Sequence, residues 1–170
     1  FHRKSVYHDA DGQFFKDNGE RAIFFARGVL ETVKKLRWAP DVIHCQGWIS
    51  QILPIYLKKA YKDDPIFSNS KVVLSLYDDT PETFPEDLKE RILFGGVGED
   101  DVKILENPTG INLAKLAVDY SDGIIFGAEG IPQEVEEYCK AKGCPVVPYD
   151  AQAIEDGSYI EVYNSFYDNL

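Results

Sequence analysis

Apolar and polar positions along the chain follow two different periods. Between Asn18 and Leu36 the apolar residues recur every three or four places, at Ala22, Phe25, Ala26, Val29, Val33 and Leu36. That spacing predicts an amphipathic helix burying this stripe. Asn18 stands where a capping side chain belongs and Glu20 in the first turn. Lys34, Lys35 and Arg37 close the far end, where cations complement the helix dipole. Short unbroken apolar runs have a different character, at residues 41–45, 71–76, 122–126 and 144–148. Apolar on both faces, they predict strands of a parallel sheet covered by two helical layers.

Between these runs lie further helical patterns. Residues 48–61 place Trp48, Ile52, Leu53, Tyr56 and Leu57 on one surface, and Pro54 sits too deep for a first turn, so a kink is expected there. Residues 86–93, 99–105 and 112–120 read as helical, the last with Leu113, Leu116, Ala117 and Tyr120 on one face. Pro132 at a first helical position opens a helix over 132–142. One more helix, rich in Tyr and Phe, is expected in 154–170. At the start, 5–8 reads as a strand, and Asp11-Gly12 as the turn of a hairpin. Strand alternating with helix gives an α/β fold, a three-layer Rossmann-like parallel sheet, in one domain over 1–170.

Composition narrows the function. The 170 residues, 44% of them apolar, suffice for one core. No apolar run approaches the roughly 20 residues of a membrane span. A net charge of −11 argues against nucleic acid and against anionic membrane surfaces. A neutral polysaccharide meets no such objection, and an anionic small molecule needs a local basic or amide-lined pocket. The chain opens Phe1-His2-Arg3-Lys4, with no Met and no apolar stretch behind it, so it is expected to be a piece of a larger protein without a secretory leader. Its sparse cysteines, Cys45, Cys139 and Cys144, fit a reducing cytoplasm, and no metal site is expected at them.

Three strand ends carry polar or small residues: His44-Cys45-Gln46-Gly47, Tyr77-Asp78-Asp79 and Gly127-Ala128-Glu129-Gly130. In a parallel sheet all three lie along one edge, where ligands of open α/β sheets bind. Gly47 would let a ligand approach the backbone, and the N–H groups starting the Trp48 helix would face an anionic group. Each has a plainer reading too. His44 is either a ligand contact or a satisfied strand-end histidine. Asp78 and Asp79 either face the crevice or start a loop, and Gly127–Gly130 is either a site or a βα turn. Gly95, Gly96 and Gly98 are no phosphate loop, since no strand leads into them and no Lys follows.

The order of segments resembles a known family. Residues 17–27, Asp-Asn-Gly-Glu-Arg-Ala-Ile-Phe-Phe-Ala-Arg, resemble the D-N-x-x-R-F-x-x-F-S-R helix of bacterial glycogen and plant starch synthases. Residues 40–48 resemble their P-D-[IV]-[IV]-H-x-H-D-W motif, and 53–58 the L-x-P-x-Y-L-K that follows. Residues 71–78 sit where the family has a strand ending T-[IV]-H-N. Residues 113–122 resemble L-x-K-x-[AG]-[IL]-x-Y-A-D, and the next strand and turn its V-[ST]-P-x-[YF]-x-x-E. The pattern is most similar to the glycogen synthase-like proteins of Bacteroides-type bacteria.

The resemblance implies part of the N-terminal, acceptor-side half of a GT-B glycosyltransferase. It implies a retaining transfer of glucose from ADP-glucose to an α-1,4-glucan such as glycogen, with no cofactor and no required metal. The family's K-T-G-G-L loop is expected upstream of residue 1, and the nucleotide-binding C-terminal domain is absent, so this piece alone should not catalyse transfer. Substrate-binding positions carried over are His44, Gln46, Gly47, Trp48, Tyr77 and Asp78. His44 and Trp48 match the motif. Gln46 replaces its second His, Gly47 its Asp, and Tyr77-Asp78 the His-Asn pair. Gln hydrogen-bonds a hydroxyl but carries no proton as His does. The alternative is a degenerate glucan-binding or regulatory homologue. An unrelated flavodoxin-like module is disfavoured by the missing Gly-rich turn after residues 41–45.

Overall fold

The structure, a computed structural model, describes residues 5–170; the Phe1-His2-Arg3-Lys4 opening lies outside the described residues. Helix α1 (Asn18–Leu36) leads to strand β1 (Val42–Gln46). A 3₁₀ turn (Trp48–Ser50), a single α-helical turn α2 (Leu53–Ile55) and a π-helical turn (Tyr56–Ala60) follow. Then come β2 (Lys71–Leu76), α3 (Leu88–Ile92), a 3₁₀ segment (Asp100–Glu106) and α4 (Gly110–Asp119). The chain ends with β3 (Gly123–Phe126), α5 (Gln133–Lys142), β4 (Val146–Val147), α6 (Ala151–Asp156) and α7 (Tyr159–Asp168). Among the described residues no helix is long and apolar enough to cross a membrane.

The four strands are parallel and lie in sequence order, β1-β2-β3-β4. Right-handed crossovers that always step the same way put the connecting helices on one face. Cys45, Val72, Leu74, Leu76 and Ile124 point into that layer and form the main core with α1, α2, α4 and α5. Strand alternation turns His44, Val73, Ser75 and Ile125 to the opposite face. There α7 lies across the sheet, with Phe166 packed directly on the Gly123 backbone and Tyr167 bonded to His44. The sheet is therefore sandwiched as its apolar runs predict.

Several local expectations are corrected. The buried stripe of α1 is Ala22, Ala26 and Leu30, continued by Asn18 and Gly19 at its start. Phe25 and Leu36 of the predicted stripe are 43% and 69% exposed. The helix has apolar residues on two neighbouring faces, and the one with small residues allows the closer approach to α3. Asn18 does not cap α1: its side chain is buried and Nδ2 donates to the Tyr7 carbonyl at 2.8 Å. The helix over 48–61 is broken, and Pro54 opens the α2 turn where its missing N–H costs nothing. Pro132 precedes α5 as its cap residue. The segment 5–8 pairs only through a His8–Phe14 bridge, and the tail forms two helices because Gly157, at φ 80°, ends the first.

Several residues that carry the family resemblance hold this frame together. Tyr56 is buried and donates to the Ile92 carbonyl at 3.0 Å. Lys58, closing one motif, pairs at 2.7 Å with Asp122, closing another. The same Asp122 oxygen accepts the Val72 N–H at 2.7 Å, so it pins the entries of β2 and β3 together. Arg27 lies over the Phe94 ring at 3.9 Å.

Candidate functional site

The pleat divides the strand-end residues between two sides. His44, two positions before Gln46, lies under α7. Its Nε2 is 2.6 Å from Ser75 Oγ and its Nδ1 2.9 Å from the Tyr167 hydroxyl. The Tyr163 and Tyr167 rings meet the imidazole edge-on at 6.3 and 5.8 Å. Burial holds the His44 pKa below its usual value, which favours the neutral ring. Gln46 is exposed on the same side, and Tyr77 follows it, its ring against Gly127. Tyr77, Tyr163 and Tyr167 thus gather over one face of the sheet's C-terminal end, and burial raises the Tyr163 and Tyr167 hydroxyl pKa values.

Trp48 goes the other way. It is 1% exposed, in a ring cluster with Tyr7, Phe14 and Phe84 at centroid distances of 4.9, 5.3 and 5.7 Å. This cluster floors a cleft of about 920 Å³. One wall is the N-terminal hairpin, with Tyr7, His8, Gln13 and Lys16; the other is the loop from Asp78 to Pro85. The described strands never reverse their order, so no switch-point crevice forms. The cleft arises from the hairpin folding over the loop after β2.

Both walls are anchored. The hairpin is closed by Asp9 N–H to the Gln13 carbonyl at 2.9 Å and Phe15 N–H to the Tyr7 carbonyl at 3.0 Å. The loop is tied to the start of α4 by Phe84 N–H to the Pro108 carbonyl at 2.8 Å and by a Thr83–Thr109 bridge. Gly110 permits that contact, since a Cβ there would stand 2.0 Å from the Pro81 oxygen. Asp79 crosses between strand ends: its Oδ2 accepts the Trp48 N–H at 3.2 Å. Partial burial, more than the neighbouring Asp78, raises its pKa, against the Trp48 bond, which lowers it. Tyr7 is raised by burial and then by the Asp79 charge.

Of the sequence-predicted positions, Trp48 and Asp78 line this cleft, buried Gly47 lies against its Asp79, and His44, Gln46 and Tyr77 sit on the α7 side. Asp78 lies beside the Gly130 turn, 3.2 Å from where a Cβ on that glycine would be. Sequence reasoning missed the hairpin's contribution and that of Glu82 and Thr83. The signal was available only as an aromatic and acidic composition, without the contact that brings residues 7–16 over 78–85.

One parallel sheet covered on both faces, with a cleft at its C-terminal edge, is the fold of one half of a GT-B glycosyltransferase. The chain belongs to the starch synthase catalytic domain family, whose model matches residues 1–147. It is 34% identical to the glycogen synthase of Clostridium perfringens over 146 residues, covering 80% of this chain and 27% of that protein. It is 34% identical to that of Geotalea daltonii over 143 residues, 82% of this chain and 27% of the relative. The chain therefore spans about a quarter of the length of these curated relatives. Among solved structures it is similar to the catalytic domain of starch synthase IV from Arabidopsis thaliana bound to ADP and acarbose. That match has a TM-score of 0.52 and 18% identity, over 67% of this chain and 24% of that one.

Proposed function

We propose that this chain is the acceptor-side part of a retaining glycosyltransferase that moves glucose from ADP-glucose to the non-reducing end of an α-1,4-glucan. Residues 1–170 form one partial domain of it, and the cleft over Trp48 holds the glucan. The observation that supports this best is the cleft's lining. Aromatic rings form its floor, and Asp78, Glu82, Thr83 and Gln13 stand around its rim. The partly exposed Tyr7 and Phe14 rings, backed by buried Trp48 and Phe84, accept the C–H face of a pyranose and the rim groups its hydroxyls, as in sugar pockets with apolar walls and few polar anchors. The same carboxylates disfavour a diphosphate, with Lys16 the one lysine or arginine among the described lining residues. The donor nucleotide is then held by a separate nucleotide-binding domain, and this portion by itself transfers no glucose. The solved starch synthase bound to ADP and acarbose supports the same pairing of ligands. His44, Gln46, Gly47, Trp48, Tyr77 and Asp78 mark the edge where donor and acceptor meet, with Gln46 bonding a sugar hydroxyl. The site lies in a cytoplasmic enzyme of glycogen synthesis.

One observation favours a second reading, a non-catalytic glucan-binding or regulatory homologue. The end of β1 carries Gln46 where the motif has His, and both nitrogens of His44 are engaged by Ser75 and Tyr167. ADP release by the complete protein, given ADP-glucose and glycogen, separates the two. Release that depends on glycogen and falls sharply in Gln46→Ala supports the transferase. Glycogen bound without release supports the second reading, and neither binding nor release contradicts both.

A further inference from the structure

Gly47 opens the turn after β1, and its backbone makes room for a carboxylate from another loop. Gly47 has φ 70° and ψ 171°, a conformation essentially reserved for glycine. A Cβ built there would lie 2.7 Å from Asp79 Oδ2, and within 4 Å it would meet nothing but that carboxylate. The space a residue-47 side chain would use is thus filled by a carboxylate from the loop after β2. That carboxylate accepts the N–H of Trp48, the first residue of the 3₁₀ turn. A side chain at the capping position reaches the second or third N–H of a helix, so the Trp48 N–H, the first, draws its acceptor from elsewhere. Here the acceptor comes from 31 residues away and joins two strand ends. Ser50 completes the turn from the other side, its hydroxyl donating to the Gln46 and Gly47 carbonyls at 3.0 and 2.9 Å.

We infer that Asp79 is a positioning residue for the turn at Trp48. It locks the Trp48 turn to the 78–85 loop and so sets the width of the sugar cleft. This rests on the glucan-cleft reading above and adds to it a specific carboxylate outside the motif. Asp79 itself acts through Trp48 and the loop, not on the reacting atoms.

The test uses the complete protein with Asp79→Ala and Asp79→Asn. Asn keeps an oxygen that can accept the Trp48 N–H, and Ala removes it. The Trp48 amide should exchange with solvent about tenfold faster in Asp79→Ala and at nearly the wild-type rate in Asp79→Asn. The maltoheptaose dissociation constant should rise about tenfold in Asp79→Ala and stay within about threefold in Asp79→Asn. Unchanged Trp48 exchange in Asp79→Ala overturns the inference, and so does unchanged maltoheptaose affinity alongside faster exchange. Equal loss of affinity in both variants also overturns it, because the charge and not the cap would then matter. If the wild-type protein binds no maltoheptaose, the glucan reading has failed; Trp48 exchange then stands alone, and no change there overturns the cap as well.

Discussion

His44 is held from two sides, by Ser75 on the neighbouring strand and by Tyr167 on α7. Removing the second contact with Tyr167→Phe should cost about 1 kcal/mol in urea unfolding. Its titration has a defined sign. Burial lowers the folded pKa below the usual 6.5, so between the two values the unfolded chain binds the extra proton. The stability tied to the neutral ring is complete above 6.5 and is lost as the pH falls through the folded value. Urea midpoints should therefore drop between about pH 7.5 and about pH 5.5, and drop less in His44→Gln. Asp122 gives a second check. Asp122→Ala leaves the Val72 N–H and Lys58 without their shared acceptor and should cost about 1–3 kcal/mol in the same assay. The sequence showed His44, Lys58 and Asp122 as motif positions. It did not show their partners, since Tyr167 lies 123 residues from His44 and Asp122 lies 64 from Lys58.

Secondary elements were legible where one period dominates. The β2 run 71–76 matches the observed Lys71–Leu76, and Asn18–Leu36 is one helix, because each has a single uninterrupted pattern. The face of α1 was misread because apolar residues occupy two sides of it. The break after Trp48 was marked by Pro54, but not the form it takes, a π-helical turn at Tyr56–Ala60. The candidate site was legible as a sheet edge. Its division into an α7 side and a Trp48 side follows from strand alternation, but the hairpin's closure over the loop does not. The wall of the cleft depends on Gly110, so Gly110→Ala should push the Pro81 backbone away and cost about 1–3 kcal/mol, as overpacking does. Amide exchange should then quicken at 80–85 ahead of the central strands.

At the level of the whole molecule, a net charge of −11 and an acidic cleft rim suit a neutral polymer. Glucan affinity carried by rings and hydroxyl contacts should change less than about twofold between about 50 and about 500 mM salt. A steep loss with salt would mean a charged ligand. Phe24 and Phe25 of α1 are exposed beside a second hollow that shares Tyr7 with the cleft. Family membership is carried by residues 1–147, while α7 beyond them covers the second sheet face and engages His44.

Hydrogen exchange of the complete protein with and without maltoheptaose reads the cleft directly. Protection concentrated at residues 7–16 and 78–85, with the α7 face unchanged, is the expected result. Protection confined to α7 and the Tyr77 side, or none at a saturating concentration, would contradict the placement of the glucan over Trp48.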